Sequence, residues 1–177
     1  MNRKLLLVAV AVLVLATLSV GVALAGEGKT VKTLGDEVLK PNVKVEATLR
    51  FSPGPTTIDV GDSITWVGAD KADAPHTVTL TRNPDALMDE FADLFGGNCP
   101  ECDAAIGAAL GGHFATDPPT LLVDVGDPGF GDDGDSVLFG GPAPDTTQTL
   151  TNVSPGESIF YFCAIHPWMQ GSINVNG

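Results

Sequence analysis

Basic residues are scarce in this sequence, and they are unevenly distributed. Lysine and arginine together number nine against 22 aspartates and glutamates, which gives a formal net charge of −13. No lysine or arginine follows Arg82, whereas 14 acidic residues do. A field of this sign repels nucleic acid and anionic lipid. We therefore expect no nucleic-acid partner; the charge serves either solubility or attraction of a protein with a basic docking surface.

The sequence has only one long hydrophobic run, and it lies at the N-terminus. Arg3 and Lys4 precede apolar residues 5–24, and Ala23-Leu24-Ala25 is a small-x-small cleavage motif. Residues 1–25 are therefore predicted to be a signal peptide or an uncleaved membrane anchor, the sole expected membrane contact. Its removal leaves seven basic residues against 22 acidic ones, a charge of −15. Either alternative places the remainder outside the cytoplasm, in the periplasm, at the cell surface or secreted, where disulfides persist.

The rest of the chain is rich in turn residues and has little helical patterning. It contains 21 glycines and 13 prolines, which favour turns between short strands. Residues 26–42 show no sustained period and are predicted to be a linker. Residues 43–51, "VKVEATLRF", alternate apolar and polar side chains, which predicts a half-buried strand with Val43 and Val45 facing inward.

Further short strands are predicted in "TTIDVGDSITWVG", "HTVTLT", "TTQTLTNVSPGESIFYFC" and "GSINV". Short strands between Gly and Pro turns indicate an all-β fold, an antiparallel Greek-key β-sandwich over residues 43–177. A long, partly helical insertion interrupts it at about residues 83–134. There, one helix is predicted from Asn83 and Pro84 to Gly96-Gly97, with Leu87, Phe91 and Leu94 on one face. A second is predicted over residues 104–110, and a strand over residues 121–125.

Cysteine, histidine and methionine number three each, yet one of each falls within seven residues. Cys163, His166 and Met169 form a Cys-x2-His-x2-Met motif after a predicted strand. A thiolate, an imidazole and a thioether are the donors that suit copper in an electron-transfer site. Such a site needs a second histidine. His76, which directly precedes the strand "TVTL", is a better candidate than His113.

"DAPHTVTL" and "GESIFYFCAIHPWMQGSINV" resemble the small blue copper proteins, the cupredoxins, and "TIDVGDSITWV" resembles the strand pair that precedes their first histidine. The short loop is most similar to that of amicyanin; plastocyanin and pseudoazurin have a longer gap before the methionine. The resemblance implies one type 1 copper ion per chain. Its equatorial ligands would be His76, Cys163 and His166, and its weak axial ligand Met169. The backbone N–H of Thr77 would tune the thiolate.

The same resemblance implies a function. It predicts a non-enzymatic carrier that shuttles one electron between protein redox partners, with His166, Pro167 and Trp168 as the electron portal. Alternatively, Trp168 packs into the core. Catalytic copper sites need additional histidines, and only His113 is left over. Two other functions stay open: copper binding and delivery, or a cupredoxin-like interaction module without metal. The delivery role is disfavoured because the chain has no methionine-rich or histidine-rich tract.

The insertion carries the two other cysteines. With Cys163 assigned to metal, the even pairing that remains favours a disulfide between Cys99 and Cys102. The alternatives are a redox-active pair or a second metal site with His113 and Met88, although structural zinc sites usually have four clear ligands. The run "DPGFGDDGD" lacks the spacing of a calcium-binding EF-hand and is predicted to be a solvated acidic loop.

Overall fold

Alternating apolar side chains build two facing sheets in this protein. The computed structural model describes residues 28–90, 93 and 99–177, so the predicted signal segment lies outside the described residues. No helix in the described part is long and apolar enough to cross a membrane. The strands are β1 (Lys29–Leu34), β2 (Glu37–Lys40), β3 (Lys44–Ala47), β4 (Arg50–Ser52), β5 (Pro55–Ile58), β6 (Ser63–Val67), β7 (His76–Thr81), β8 (Leu122–Val123), β9 (Ser136–Phe139), β10 (Thr146–Thr149), β11 (Ser158–Phe162) and β12 (Gln170–Val175), with one α-helix, α1 (Pro100–His113).

The two sheets have orders β10-β6-β1-β4 and β5-β12-β11-β7-β9-β8. Sequence neighbours such as β5 and β6 lie in different sheets, which is the crossing pattern of a Greek-key sandwich. The predicted all-β sandwich with a helical insertion is therefore confirmed. The pairing is mixed, not wholly antiparallel as predicted, because β1 pairs with β6 and β5 with β12 in parallel.

Three aromatic rings lie at the centre of the core between the sheets. Tyr161 contacts Phe51 and Trp66 edge-on, with ring centroids 5.0 and 5.1 Å apart. Edge-to-face pairs of this kind add about 0.5–1.5 kcal/mol to the hydrophobic gain of burial. The Tyr161 hydroxyl donates to the Gly54 carbonyl at 2.7 Å, so its polar end is satisfied. This packing fixes β11, the strand that leads into the Cys-x2-His-x2-Met motif.

The region predicted as a linker is instead built into the fold. Residues 29–34 form β1, which lies between β6 and β4 and buries Val31 and Thr33. The periodicity missed β1 because the strand shows only these two fully buried positions among polar neighbours. The linker prediction was wrong for this segment.

The strand predicted over residues 43–51 is also divided. Residues 44–47 form β3, which among the described strands pairs only with β2, and Val43 and Val45 are exposed. The chain then bends at Thr48, whose N–H donates to the Asp36 carbonyl at 2.9 Å. Of residues 43–51, only Leu49 and Phe51 enter the core. The alternation of apolar and polar residues over 43–51 therefore extends across two strands, the exposed β3 and the partly buried β4.

The insertion covers the outer face of the larger sheet next to the metal-loop candidate. Its 3-10 helix is only Pro84–Ala86, capped by Asn83 as predicted, while Phe91 and Leu94 lie outside the described residues. Helix α1 is longer than the predicted residues 104–110. Ala109 of α1 packs against Phe162 and Ala164, which flank Cys163. The insertion thereby shields one side of the end of β11.

Arg82, the last lysine or arginine of the chain, joins two acidic, turn-rich loops. Its guanidinium donates to the carboxylates of Glu157 and Asp133, and to the carbonyls of Gly131 and Asn152 at 2.9 Å each. These acceptors belong to two loops, one in the insertion and one between β10 and β11, which an isolated β-bridge at residues 130 and 150 also links. Arg82 thus adds a hydrogen-bonded brace between the insertion and the loop between β10 and β11.

Replacing Arg82 with Met removes every one of these donors while keeping an apolar stem. We expect the free energy of unfolding to fall by roughly 2 kcal/mol, because two carbonyls and two carboxylates lose charged hydrogen-bond donors. Chemical denaturation measures the change. The matched control is Arg50→Met, at the exposed first residue of β4, which should lose less than about 0.5 kcal/mol. Equal losses in the two variants would contradict the bracing role.

Candidate metal centre

Strand pairing brings His76 and Cys163 together although 87 positions separate them in the sequence. β7, which begins at His76, pairs with β11 so that Thr79 lies opposite Phe162. Beyond the paired residues, the Ala164 N–H donates to the Thr77 hydroxyl at 2.7 Å. The start of β7 is therefore held against the residues that follow β11, which is where the Cys-x2-His-x2-Met motif begins.

A tight loop over residues 163–169 brings His166 back to the same place. The Met169 N–H donates to the His166 carbonyl at 2.8 Å, and the Cys163 N–H donates to the Met169 carbonyl at 3.0 Å. The Gln170 side chain donates to the Pro167 carbonyl at 3.1 Å and supports the turn from outside. Met169 is fully buried and lies in the same apolar cluster as Cys163.

Three donor atoms converge in this buried space. The Sγ atom of Cys163 lies 3.9 Å from His76 Nδ1 and 3.7 Å from His166 Nδ1, and the two Nδ1 atoms are 3.2 Å apart. Within the described part of the chain this is the one group of three or more His, Cys, Asp or Glu side chains that could hold a metal ion. The sequence predicted these three residues; their juxtaposition is a finding of the structure.

The spacing of the donors fits a single ion. Imidazole nitrogens bind zinc, a comparable first-row ion, at about 2.0–2.1 Å and thiolates at about 2.3 Å. Three such donors at 120° around one centre would be about 3.5–3.8 Å apart, and the observed separations of 3.2, 3.7 and 3.9 Å lie close to that range. Sulfur with two imidazoles, and a buried methionine nearby, is the donor chemistry of an electron-transfer copper site.

The sulfur of Cys163 accepts hydrogen bonds from backbone N–H groups but has no contact with solvent. The backbone N–H groups of Thr77 and His166 point to Sγ at 3.3 and 3.4 Å, so the hydrogen bond expected from Thr77 is present. Burial nevertheless raises the pKa of the Cys163 thiol, and these hydrogen bonds only partly offset it. A stable thiolate here therefore needs a cation beside it, and a bound metal ion would supply one.

The sequence reasoning missed Asp70, which contacts His76 on the side away from Cys163. Its Oδ2 atom lies 2.8 Å from His76 Nε2. Burial by itself would raise the pKa of Asp70, but hydrogen bonds from His76, Thr33 and the Ala74 N–H outweigh it and lower the pKa. In the sequence, only the position of Asp70, six residues before His76, could have suggested this contact. Asp73 is equally near to His76, so the sequence does not show which aspartate makes it.

The expected electron portal is divided between buried and exposed residues. His166 is 7% exposed and Pro167 is buried, whereas Trp168 is 39% exposed, with its ring centroid 5.4 Å from that of His166. Glu37 of β2, within the predicted linker, places a carboxylate oxygen 3.6 Å from His166 Nε2. Trp168 therefore does not pack into the core, and it is the exposed member of the three.

The alternative second metal site is not formed. Cys99 and Cys102 are joined by a disulfide just before and within α1. His113 is fully buried at the other end of the helix, where its Nδ1 lies 2.6 Å from the Thr120 carbonyl and its Nε2 2.8 Å from Ser136 Oγ. This alternative is not realised, because the two sulfurs bond to each other near the start of α1 and His113 lies at its end.

The acidic loop uses its carboxylates to order its own backbone. Asp135 accepts from the N–H groups of Val125, Gly131 and Asp132 at 2.7–2.8 Å. Asp132 accepts from the Asp127 N–H and the Asn152 side chain. These contacts account for the acidic residues without a calcium ion, in keeping with the preferred interpretation of "DPGFGDDGD" as a loop.

No protein-family model matches the sequence, and no curated protein matches it. Among solved structures, the chain is similar to "Novel Purple Cupredoxin from Nitrosopumilus maritimus", with 14% identity and a TM-score of 0.41 over 84% of this chain and 99% of that chain. It is also similar to auracyanin A, a "blue" copper protein from Chloroflexus aurantiacus, with 17% identity and a TM-score of 0.45 over 84% of this chain and 99% of that chain. A multicopper oxidase matches with 12% identity and a TM-score of 0.37 over 84% of this chain and 38% of that chain. With identities and TM-scores this low, we base no functional conclusion on these matches, and the particular likeness to amicyanin stays a prediction.

The disulfide leads to a simple expectation. Denatured but unreduced apo-protein should contain one free thiol per chain, from Cys163, and reduction should raise the count to three. A colorimetric thiol assay with and without reductant measures both numbers. Three free thiols before reduction would show that Cys99 and Cys102 are not joined in solution.

The pKa of His166 leads to a pH dependence of the apo-protein. Burial, and secondarily His76, lower this pKa from 6.5 to about 4. The unfolded chain therefore takes up a proton as pH falls through 6.5, whereas folded His166 does so only near 4. The stability that this residue contributes is complete above pH 6.5 and is lost progressively between pH 6.5 and about 4.

Denaturant titrations of metal-free protein at several pH values measure this loss. Burial also lowers the pKa of His113, so it contributes a dependence of the same sign. The variant His166→Gln isolates the part that belongs to His166, because it keeps His113 and should show a shallower slope than the wild type. An unchanged slope would contradict the shifted pKa.

Proposed function

We propose that this protein carries single electrons through one mononuclear type 1 copper ion. The observation that supports the proposal is the convergence of His76, Cys163 and His166 in a buried space, with Met169 in the same loop. The three convergent residues would be the equatorial ligands and Met169 the weak axial one. When bound, copper supplies a centre that alternates between two oxidation states. The protein supplies the cage, which is formed by these four side chains and the backbone that holds them.

The cage has the properties that fast electron transfer requires. His76, Cys163 and Met169 are fully buried, and backbone hydrogen bonds from β7 and the loop hold the sulfur in place. Side chains held this firmly by packing change little when the ion changes charge. Because the donors are buried, a substrate would not bind the ion directly, which favours a carrier over an enzyme that acts at this ion.

The exposed Trp168 gives electrons a short route to the surface. Its ring contacts His166, so a partner that docks on Trp168 would come within one side chain of the metal. The net charge of −13 and the absence of basic residues after Arg82 favour a redox partner with a basic docking surface. The N-terminal hydrophobic run and the disulfide support a location outside the cytoplasm.

The visible and EPR spectra of copper-loaded protein test the assignment. We expect one copper per chain and an intense thiolate-to-copper band that ascorbate bleaches and ferricyanide restores. Cys163→Ser should abolish the band because it removes the thiolate. A protein that holds only Cu(I) for delivery would be colourless in both states, and a band that survives in Cys163→Ser would refute the site.

The two methionines within the domain provide a matched pair for the axial position. Met169→Gln should shift the reduction potential and the spectrum while copper stays bound, because the axial donor tunes the centre. Met88→Gln, on a half-buried residue of the insertion, should leave both unchanged. Equal behaviour of the two variants would remove Met169 from the site.

A further inference from the structure

We propose that Asp70 is a positioning residue that fixes His76 for metal binding and lowers the reduction potential of the centre. This inference rests on the copper site proposed above. The side chain of Asp70 is 1% exposed and has its Oδ2 atom 2.8 Å from His76 Nε2. Asp70 lies behind the imidazole, on the side opposite Cys163.

The hydrogen bonds around Asp70 show that it acts as an ionised acceptor. Thr33 Oγ1 accepts from the Ala69 N–H at 3.0 Å, so its own hydrogen is free to be donated to Asp70 at 2.8 Å. The Ala74 N–H donates to the other carboxylate oxygen at 3.3 Å. All of these neighbours are donors, which is the surrounding that an unprotonated carboxylate needs when it is buried.

An ionised carboxylate at this position determines the tautomer of His76. Because the carboxylate can only accept, Nε2 must carry the hydrogen, and the lone pair of the neutral ring is then on Nδ1. Nδ1 is the atom that faces Cys163 and His166. Asp70 thus directs the lone pair of His76 Nδ1 toward the place where the three ligand atoms converge. It does so already in the metal-free protein.

The buried charge also distinguishes between the two oxidation states. A negative charge behind the imidazole stabilises Cu(II) more than Cu(I), and the interaction is poorly screened because Asp70 has almost no contact with solvent. A hydrogen bond to a carboxylate raises the basicity of the ligand in the same direction. In the described part of the chain, the carboxylate that faces His166 Nε2 is that of Glu37, which is 3.6 Å away and 38% exposed. The two histidines are therefore held unequally.

Reduction potentials of Asp70→Asn and Asp73→Asn provide a matched test. Asparagine preserves the shape of Asp70 and an oxygen that accepts from His76, and its amide group gives up only the longer hydrogen bond from the Ala74 N–H. The main loss is therefore the charge. Asp73 lies in the same loop but is exposed, and its φ of 51° is one that asparagine tolerates. We expect Asp70→Asn to favour Cu(I) about tenfold, or about 59 mV for one electron, and Asp73→Asn to change the potential by less than a third of that. Equal shifts in the two variants would overturn the electrostatic role.

The positioning role has its own readout that needs no copper. In metal-free protein, nitrogen-15 NMR of the imidazoles should show His76 as the Nε2–H tautomer with a slowly exchanging proton. Thr33→Val, which removes one anchor of Asp70 at almost constant volume, should accelerate that exchange at least tenfold. An Nδ1–H tautomer in the wild type, or unchanged exchange in Thr33→Val, would refute the positioning. A colourless copper-loaded wild type would refute the copper site alone, since the tautomer is measured without it.

Discussion

The pairing of β7 with β11 is the contact on which the rest of the site depends. Residues at the start of one strand and just beyond the end of the other meet across it, and the cross-strand hydrogen bond from Ala164 to Thr77 extends the contact past the last ladder pair. The Thr77 N–H is then free to point at the sulfur of Cys163. A slip of one residue would turn Cys163 to the opposite face of the sheet, so the core that fixes the register also fixes the ligands.

Burial sets the chemical character of the site. Burial raises the pKa of the Cys163 thiol and lowers the pKa of the His166 imidazole, so both groups favour their neutral forms. Asp70 is the exception, and it remains ionised because three donors surround it. The enclosure therefore combines one fixed negative charge with a sulfur that ionises in the presence of a cation, a combination suited to retaining a metal ion.

The local motifs were readable in the sequence, whereas the long-range supports were not. Cys163, His166 and Met169 share a loop, and His76 stands at a strand start, so order and spacing sufficed to select them. Asp70 looks like any loop aspartate until the loop folds behind His76. Glu37 and Thr33 lay in residues 26–42, where two short strands among polar neighbours gave no period to detect. The alternation in residues 43–51 misled because one face of a solvent-exposed hairpin can alternate as regularly as a core strand.

The β2–β3 hairpin has a consequence for how an ion reaches its ligands. His76, Cys163 and Met169 have no solvent-accessible surface, and the small exposed part of His166 lies between Glu37 on the hairpin and the ring of Trp168. In the described part of the chain, the two strands of the hairpin pair only with each other, and all of their residues but Val38 are exposed. Because three of the four candidate ligands have no contact with solvent, the exchange rate of an ion and the strength with which it would be held are separate properties of the molecule.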